Sequence, residues 1–158
     1  MAISYTIAQH GEAFTSKVKS SICGHIMNIE LKEDCDNGWF VAPGNWKELD
    51  LYEQAAPTSV SAIVRDKAAN GNWYCEIVSA SNAFLVAQCP VIDEEFTKNF
   101  KKLSNFYNKA GDVVRAYELA PYDIIELSPL AFKGTVAKGD TVSLQAITGV
   151  TYAKQLGA

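Results

Sequence analysis

The 158-residue chain is poor in the groups on which most enzymes and nucleic-acid binders rely. It has two histidines, His10 and His25, and neither sits in a nucleophile elbow or on a zinc-protease helix. Its four cysteines, Cys23, Cys35, Cys75 and Cys89, include no C-x-x-C pair. Cys23-Gly24-His25 brings two metal-ligating types together, but a structural zinc site needs four ligands and the remaining cysteines do not fall at finger spacings. Glycines fall singly at turns, so a phosphate-cradling loop is missing. A basic excess is also missing: 14 Lys and Arg stand against 18 Asp and Glu, a net charge of -4. Sequence-independent binding to nucleic acid requires a basic surface that displaces phosphate counterions, so a nucleic-acid partner is not expected. No stretch approaches the roughly 18 uninterrupted apolar residues of a membrane span, and MAISYTIAQHGEAFTSK lacks the basic start and apolar core of a secretory signal. The expectation is a chain made and folded in a cytoplasm, with no membrane partner, no cofactor and no metal.

What is present is an ordinary globular composition, 48% hydrophobic and 20% charged. At this length one domain buries roughly 70% of the surface its unfolded chain exposes. Cys75 and Cys89 lie in apolar strand-like runs, which favours buried thiols over a disulfide framework.

Alternation of apolar and polar residues dominates the chain. Residues 1–21 show no strong period and are expected to form an extended N-terminal arm, with residues 22–158 as a single β-rich domain. ICGHIMNIEL has the face Cys23, His25, Met27, Ile29, Leu31 of a strand. Asp36-Asn37-Gly38 is turn chemistry leading to a strand at Trp39 to Val41, in a simple strand-turn-strand arrangement closed by Pro43-Gly44. NWKELDLYEQAAP is expected to be irregular. SVSAIV and WYCEIV flank Asn70-Gly71, the strongest hairpin signal in the chain, and a further strand at Phe84 to Gln88 suggests a meander. DEEFTKNFKKLSNF carries Phe96, Phe100 and Leu103 at a spacing of three to four, with acids first and lysines last, which predicts one short helix over residues 93–106. VVRAYEL, IIEL and TVSLQAI are strands bounded by the turns Lys109 to Asp112, Pro121 to Asp123 and Lys138 to Asp140, without a repeat of fixed period. The fold class is therefore mainly β, an antiparallel, barrel-like β-rich α+β domain with one helix.

Candidate chemistry is sparse. Glycosidases need two carboxylates across a cleft, but Asp93, Glu94 and Glu95 suit a helix N-terminus, and Glu76 and Glu118 suit outward strand positions. Trp39, Trp46, Trp73 and Tyr74 could form a sugar-stacking platform. Because Trp39 and Trp73 each open a strand after an Asn/Gly turn, core packing is the favoured reading. Arg115 shares an alternating face with Val113, Tyr117 and Leu119. Either it pairs within the chain, with Glu118 or Asp123, or that face meets another subunit, since Arg and Tyr are favoured at interface hot spots.

DNGWFV, AANGNWYCEIVSASNAFLVAQCPVI and above all FYNKAGDVVRAYELAPYDIIELSPLAFKGTVAKGD together resemble the head decoration, or cement, proteins of tailed bacteriophages. The resemblance runs from about Gly24 to Leu144 and departs from the family pattern at Tyr122-Asp123, where Gly-Asp is expected. It implies a non-enzymatic structural virion protein on the capsid surface that binds the major capsid protein, with self-association as a homo-oligomer a further option, and stabilises the shell. On that implication Tyr5, Ile7 and Phe14 of the arm are candidates for strand addition to a capsid subunit, and Arg115 and Tyr117 for a capsid or subunit contact. The alternative is a carbohydrate-binding or host-attachment module on the virion.

Overall fold

The computed structural model describes residues 10–18, 26–48, 51–88 and 107–158. They form twelve strands: β1 (Ala13–Phe14), β2 (Ile26–Glu30), β3 (Phe40–Glu48), β4 (Leu51–Ala55), β5 (Ser59–Lys67), β6 (Trp73–Ser81), β7 (Phe84–Val86), β8 (Val113–Glu118), β9 (Ile124–Leu127), β10 (Phe132–Lys133), β11 (Thr141–Ala146) and β12 (Lys154–Gly157). The expected mainly-β, barrel-like class is what the structure has. The helix expected over residues 93–106 lies outside the described residues.

Five strands close on themselves in the order β3-β4-β2-β8-β7, with β7 returning to pair with β3. Closure removes the open edges that a small sheet would otherwise expose. From β3 the sheet continues through β12, β11, β5, β6 and β9 to β1 at the far edge. A single segment then joins the two ends of the β6-β5-β11-β12 row. Its first part, β9, pairs with β6, and after one 3-10 turn at Pro129–Ala131 its second part, β10, lies parallel to β12.

Each circuit encloses a core. Ile29, Leu31, Cys35, Val41, Val86, Val114, Ala116 and Ala153 fill the smaller one. The larger gathers Val60, Ala62, Val64, Cys75, Ile77, Ile125, Leu127, Val142 and Leu156 around Phe40 and Leu85. The wall between them is β3 with β7. Successive strand side chains point to opposite faces, so Phe40 and Leu85, which are paired, enter the larger core while Val41 and Val86 enter the smaller.

Several connections depart from the sequence expectation. Asn37-Gly38 does not close a hairpin, because β2 pairs with β8 and, in parallel, with β4 rather than with β3. β3 runs through Pro43-Gly44 instead of ending there. Proline offers no N–H to a ladder, and the pairing with β4 shifts register directly after Pro43, as expected of proline at a bulge. The segment expected to be irregular supplies β4, whose Gln54 side chain is buried and bonded at both ends, accepting from Lys32 N at 2.8 Å and donating to Tyr152 O at 3.2 Å. The β5–β6 hairpin at Asn70-Gly71 forms as expected. The meander does not continue, since β7 leaves β6 and pairs with β3 and β8. Of the expected arm, residues 10–18 lie on this chain's own sheet: β1 pairs with β9, Glu12 and Ser128 exchange two hydrogen bonds, and Val18 is buried in the larger core.

A shared wall couples the two cores. Leu85→Ala and Val86→Ala each remove a fully buried side chain, from the larger and the smaller core respectively. The first is expected to cost about 2–5 kcal/mol, and the second a smaller amount. In urea melts followed by tryptophan fluorescence and far-UV circular dichroism, both variants should shift one common transition. A separate early transition for either variant would show that the cores unfold independently.

Candidate interaction surface

The surface is organised by a four-residue turn used three times: Lys109-Ala110-Gly111-Asp112, Ala120-Pro121-Tyr122-Asp123 and Ala137-Lys138-Gly139-Asp140. In each, the first residue's N–H donates to the aspartate Oδ2, at 3.1, 2.9 and 2.9 Å. The aspartate N–H returns a bond to the first residue's carbonyl, at 3.1 Å in all three. The third residue's N–H donates to the carbonyl of Leu31, Ile77 or Val64 at 2.8, 2.9 and 2.7 Å, and the N–H of that same residue donates to the aspartate carbonyl at 2.9, 2.8 and 2.9 Å. Every turn is thus closed by its own carboxylate and riveted to a neighbouring strand by two backbone bonds. The strand that follows places its second residue, Val114, Ile125 or Val142, in a core.

The third position requires a positive φ, as the third residue of a type II turn does. Gly111 and Gly139 have φ of 90° and 92°, and Tyr122 has 73°. For a bulky L-residue this region is an outlier. Tyr122 is also 83% exposed, the most exposed of the large hydrophobic residues described. The turn that departs from the Gly-Asp pattern therefore keeps the glycine-type backbone and projects an aromatic ring from it.

Arg115 stands on the outer face of the smaller barrel. The buried face of β8 is Val114 and Ala116, which leaves Val113 and Arg115 exposed, opposite Glu30 and Asn28 of β2. Neither intramolecular partner expected from the sequence is joined to Arg115 by an ion pair, and among the described residues its guanidinium has none. Tyr117 is buried, paired with Leu85 where the outer face of β7 and β8 turns into the larger core. Of the two residues expected at a contact on this strand, the structure presents Arg115 and covers Tyr117. Phe14 is half-buried on β1 and lines a shallow pocket of about 40 Å³ with Lys17, Tyr74 and Glu126. Tyr5 and Ile7 lie outside the described residues. Trp39 packs on the smaller core and Trp73 on the larger, while Trp46 is 63% exposed.

A polar node ties three distant parts of the chain together. Asn37 is buried. Its Oδ1 accepts from Gln88 N at 3.0 Å and from Asn108 Nδ2 at 3.1 Å, and its Nδ2 donates to Gln88 O at 3.0 Å. Asn37 therefore joins Gln88, the last described residue before segment 89–106, to Asn108, the second described residue after it. Beside it, His10 Nδ1 lies 2.8 Å from Asp36 Oδ1, and its ring stacks on Tyr107 at 4.7 Å. Burial pushes the Asp36 carboxyl above the usual carboxylate range, opposed by His10 and by the Gly11 N–H. Gly38, with φ of 94°, makes this packing possible, because a Cβ there would stand 2.8 Å from Ala131 Cβ.

The node does not assemble a nucleophile. The neighbouring Cys35 thiol is pushed well up, by burial first and then by Asp36 and Glu33, the opposite of what activates a thiolate. Cys75 is pushed up to about 12 by burial alone. Both are free and buried, as expected for Cys75 from its apolar run. Among the described residues no group of three or more His, Cys, Asp or Glu could hold a metal, and no helix is long and apolar enough to cross a membrane. Comparison with protein-family models, with curated proteins and with solved structures returns no match.

Two outcomes follow from these side chains. Asn37→Ala removes the partner of the half-buried Gln88 N–H and carbonyl and of the buried Asn108 amide, and should destabilise the fold by about 1–3 kcal/mol in chemical denaturation. A loss below about 0.5 kcal/mol would deny Asn37 its role as a clasp. For Cys75, the folded thiol stays protonated up to about 12 whereas an unfolded thiol ionises near 9.0. The unfolded state thus binds fewer protons between those values, and stability contributed by the buried thiol, fully present below 9, is lost as pH rises. Cys75→Ala should flatten the fall in stability between pH 9 and pH 10.5, measured by urea titration at each pH.

Proposed function

We propose that the protein is a structural virion component of the head-decoration type, one that binds the outer surface of a tailed-phage capsid through the major capsid protein and stabilises the shell. The observation that carries this reading is the outer face of β2 and β8, where Arg115 is exposed beside Val113 without an ion-pair partner among the described residues. A planar guanidinium with five donors on a rigid strand suits protein contact by forked hydrogen bonds. The resemblance of the segment from Phe106 to Asp140 to decoration proteins supports the same reading, as does a β-rich scaffold of one closed barrel with additional strands, without an activated nucleophile or a metal cluster among its described residues.

Binding of this kind stabilises by mass action. A protein with affinity for the assembled shell and not for free subunits adds RT ln(1 + [L]/Kd) per site to the assembled state, and a shell presents many sites. The carbohydrate-binding alternative has less support, because two of the three tryptophans proposed for a sugar platform are packed against the cores.

Co-sedimentation with expanded, undecorated capsids of the source phage, with unexpanded procapsids as control, tests the proposal. Saturable binding to expanded shells is expected, with Arg115→Ala weakening it by about tenfold or more, the effect of losing one interface anchor. Absence of binding to either shell would overturn the proposal and direct attention to glycans. Unchanged affinity of Arg115→Ala would remove the β8 face from the contact.

A further inference from the structure

The three turns share the same four hydrogen bonds, to which the first adds one from Ala110 N to Asp34 Oδ1, and they differ in the residue at the third position. Two use glycine at the positive-φ position, where glycine carries no steric penalty. The third uses tyrosine, a bulky side chain for which that backbone is an outlier, and leaves it 83% exposed. Neither packing nor turn closure accounts for the ring, since Ala120 N and the Asp123 carboxylate close this turn as their counterparts close the other two. Strain held at an exposed position is a mark of function.

We propose that Tyr122 is a docking knob: its ring inserts into an apolar pocket on a subunit of the shell, with Val78 beside it as the second apolar contact. The inference rests on the capsid-binding reading and names a residue and a pocket that the reading does not. Tyr122 N is bonded to Ile77 O, which places the turn against β6 next to Val78, itself 48% exposed. The occupant is a protein pocket rather than a phosphate backbone or an anionic lipid surface. Residues 118–126, ELAPYDIIE, hold three carboxylates and no basic residue, and like charge at that distance opposes polyanions. A ring at the tip of a turn is convex and requires a concave partner. Tyrosine adds a hydroxyl that can be satisfied at the pocket floor while the ring fills the apolar wall, which is why it is favoured among interface anchors. Fixing the ring on a turn held by four backbone and side-chain bonds lowers the ordering cost on docking.

Strain and docking make opposite demands, and this separates them experimentally. Tyr122→Gly restores the residue of the two sister turns, and Tyr122→Asn keeps a side chain that tolerates positive φ while removing the ring. For each purified variant, thermal unfolding and equilibrium co-sedimentation with expanded capsids of the source phage are measured against the wild type. The expected result is a midpoint that is unchanged or raised by about 2–4 °C, together with shell affinity weakened at least tenfold in both variants and retained in Tyr122→Phe to within about threefold. Wild-type affinity in Tyr122→Gly and Tyr122→Asn, with the wild type itself binding, would overturn the knob and leave the capsid reading standing. No shell binding by the wild type would overturn both.

Discussion

The structure depends on the period-two alternation of two short strands. β3 and β7 are the wall between the cores, and each gives consecutive residues to opposite sides: Phe40 and Leu85 to one, Val41 and Val86 to the other. A sheet of this length cannot stay open and flat, because twist and exposed edges work against it. Branching at β3 solves both problems. One edge of β3 meets β7, and the other meets β12 briefly and then β4, so the smaller barrel closes while the remaining strands leave to enclose the larger core. A residue slip in β3 would exchange the two sets of side chains and empty both cores together.

What the alternation cannot supply is the joining of segments distant in sequence, and here polar side chains act. Gln54 bonds Lys32 and Tyr152, Glu33 Oε1 accepts from Thr151 N and Tyr152 N at 2.9 and 2.6 Å, and Asn37 bonds Gln88 and Asn108. Each bridges stretches far apart in the chain and satisfies backbone groups that pairing leaves over. Buried amides used in this way add more to the uniqueness of the arrangement than to its gross stability. The net gain per bond is about 1 kcal/mol, whereas an unmade bond in the same place costs more.

The sequence makes some of this legible and hides the rest for physical reasons. The β5–β6 hairpin is legible because Asn70-Gly71 sits between two alternating runs, and β8, β9 and β11 are legible from alternation bounded by turns. β1 and β12 are hidden because they are two and four residues long and exist through their neighbours rather than through propensity. The parallel pairings of β2 with β4 and β10 with β12 leave no local signal, since the partners are joined by long connections. β4 is hidden because its one buried side chain is the polar Gln54, so LYEQA shows no apolar alternation. Arg115 is found from its oddity in an apolar run. Tyr117 is misplaced on the exposed face, because alternation cannot say that the outside of one barrel becomes the inside of the next core. The repeated turn escapes a search for fixed periods, as its copies are unequally spaced. Its signal is local: a Gly-Asp or Tyr-Asp pair followed at the second position by Val or Ile.

The repeated turn also clarifies what a departure from a pattern means. Position three of that turn is filled by geometry alone in two copies, where the glycines meet no neighbouring atom that a Cβ would touch within 4 Å. Open space of this kind places no packing limit on the side chain, so the backbone angle is the one constraint, and glycine is its cheapest solution. A tyrosine in the third copy is therefore selected against by the fold and gains nothing visible from it. Proteins are tuned to sufficient rather than maximal stability, and residues that oppose stability persist where activity requires them. The same reasoning does not extend to Asn82, whose φ of 47° is within the habit of asparagine and whose side chain reaches Thr58 across the chain. Asn82 is a turn solved by an accommodating residue. Tyr122 is a turn solved in spite of its residue, and its ring faces solvent where a partner can reach it.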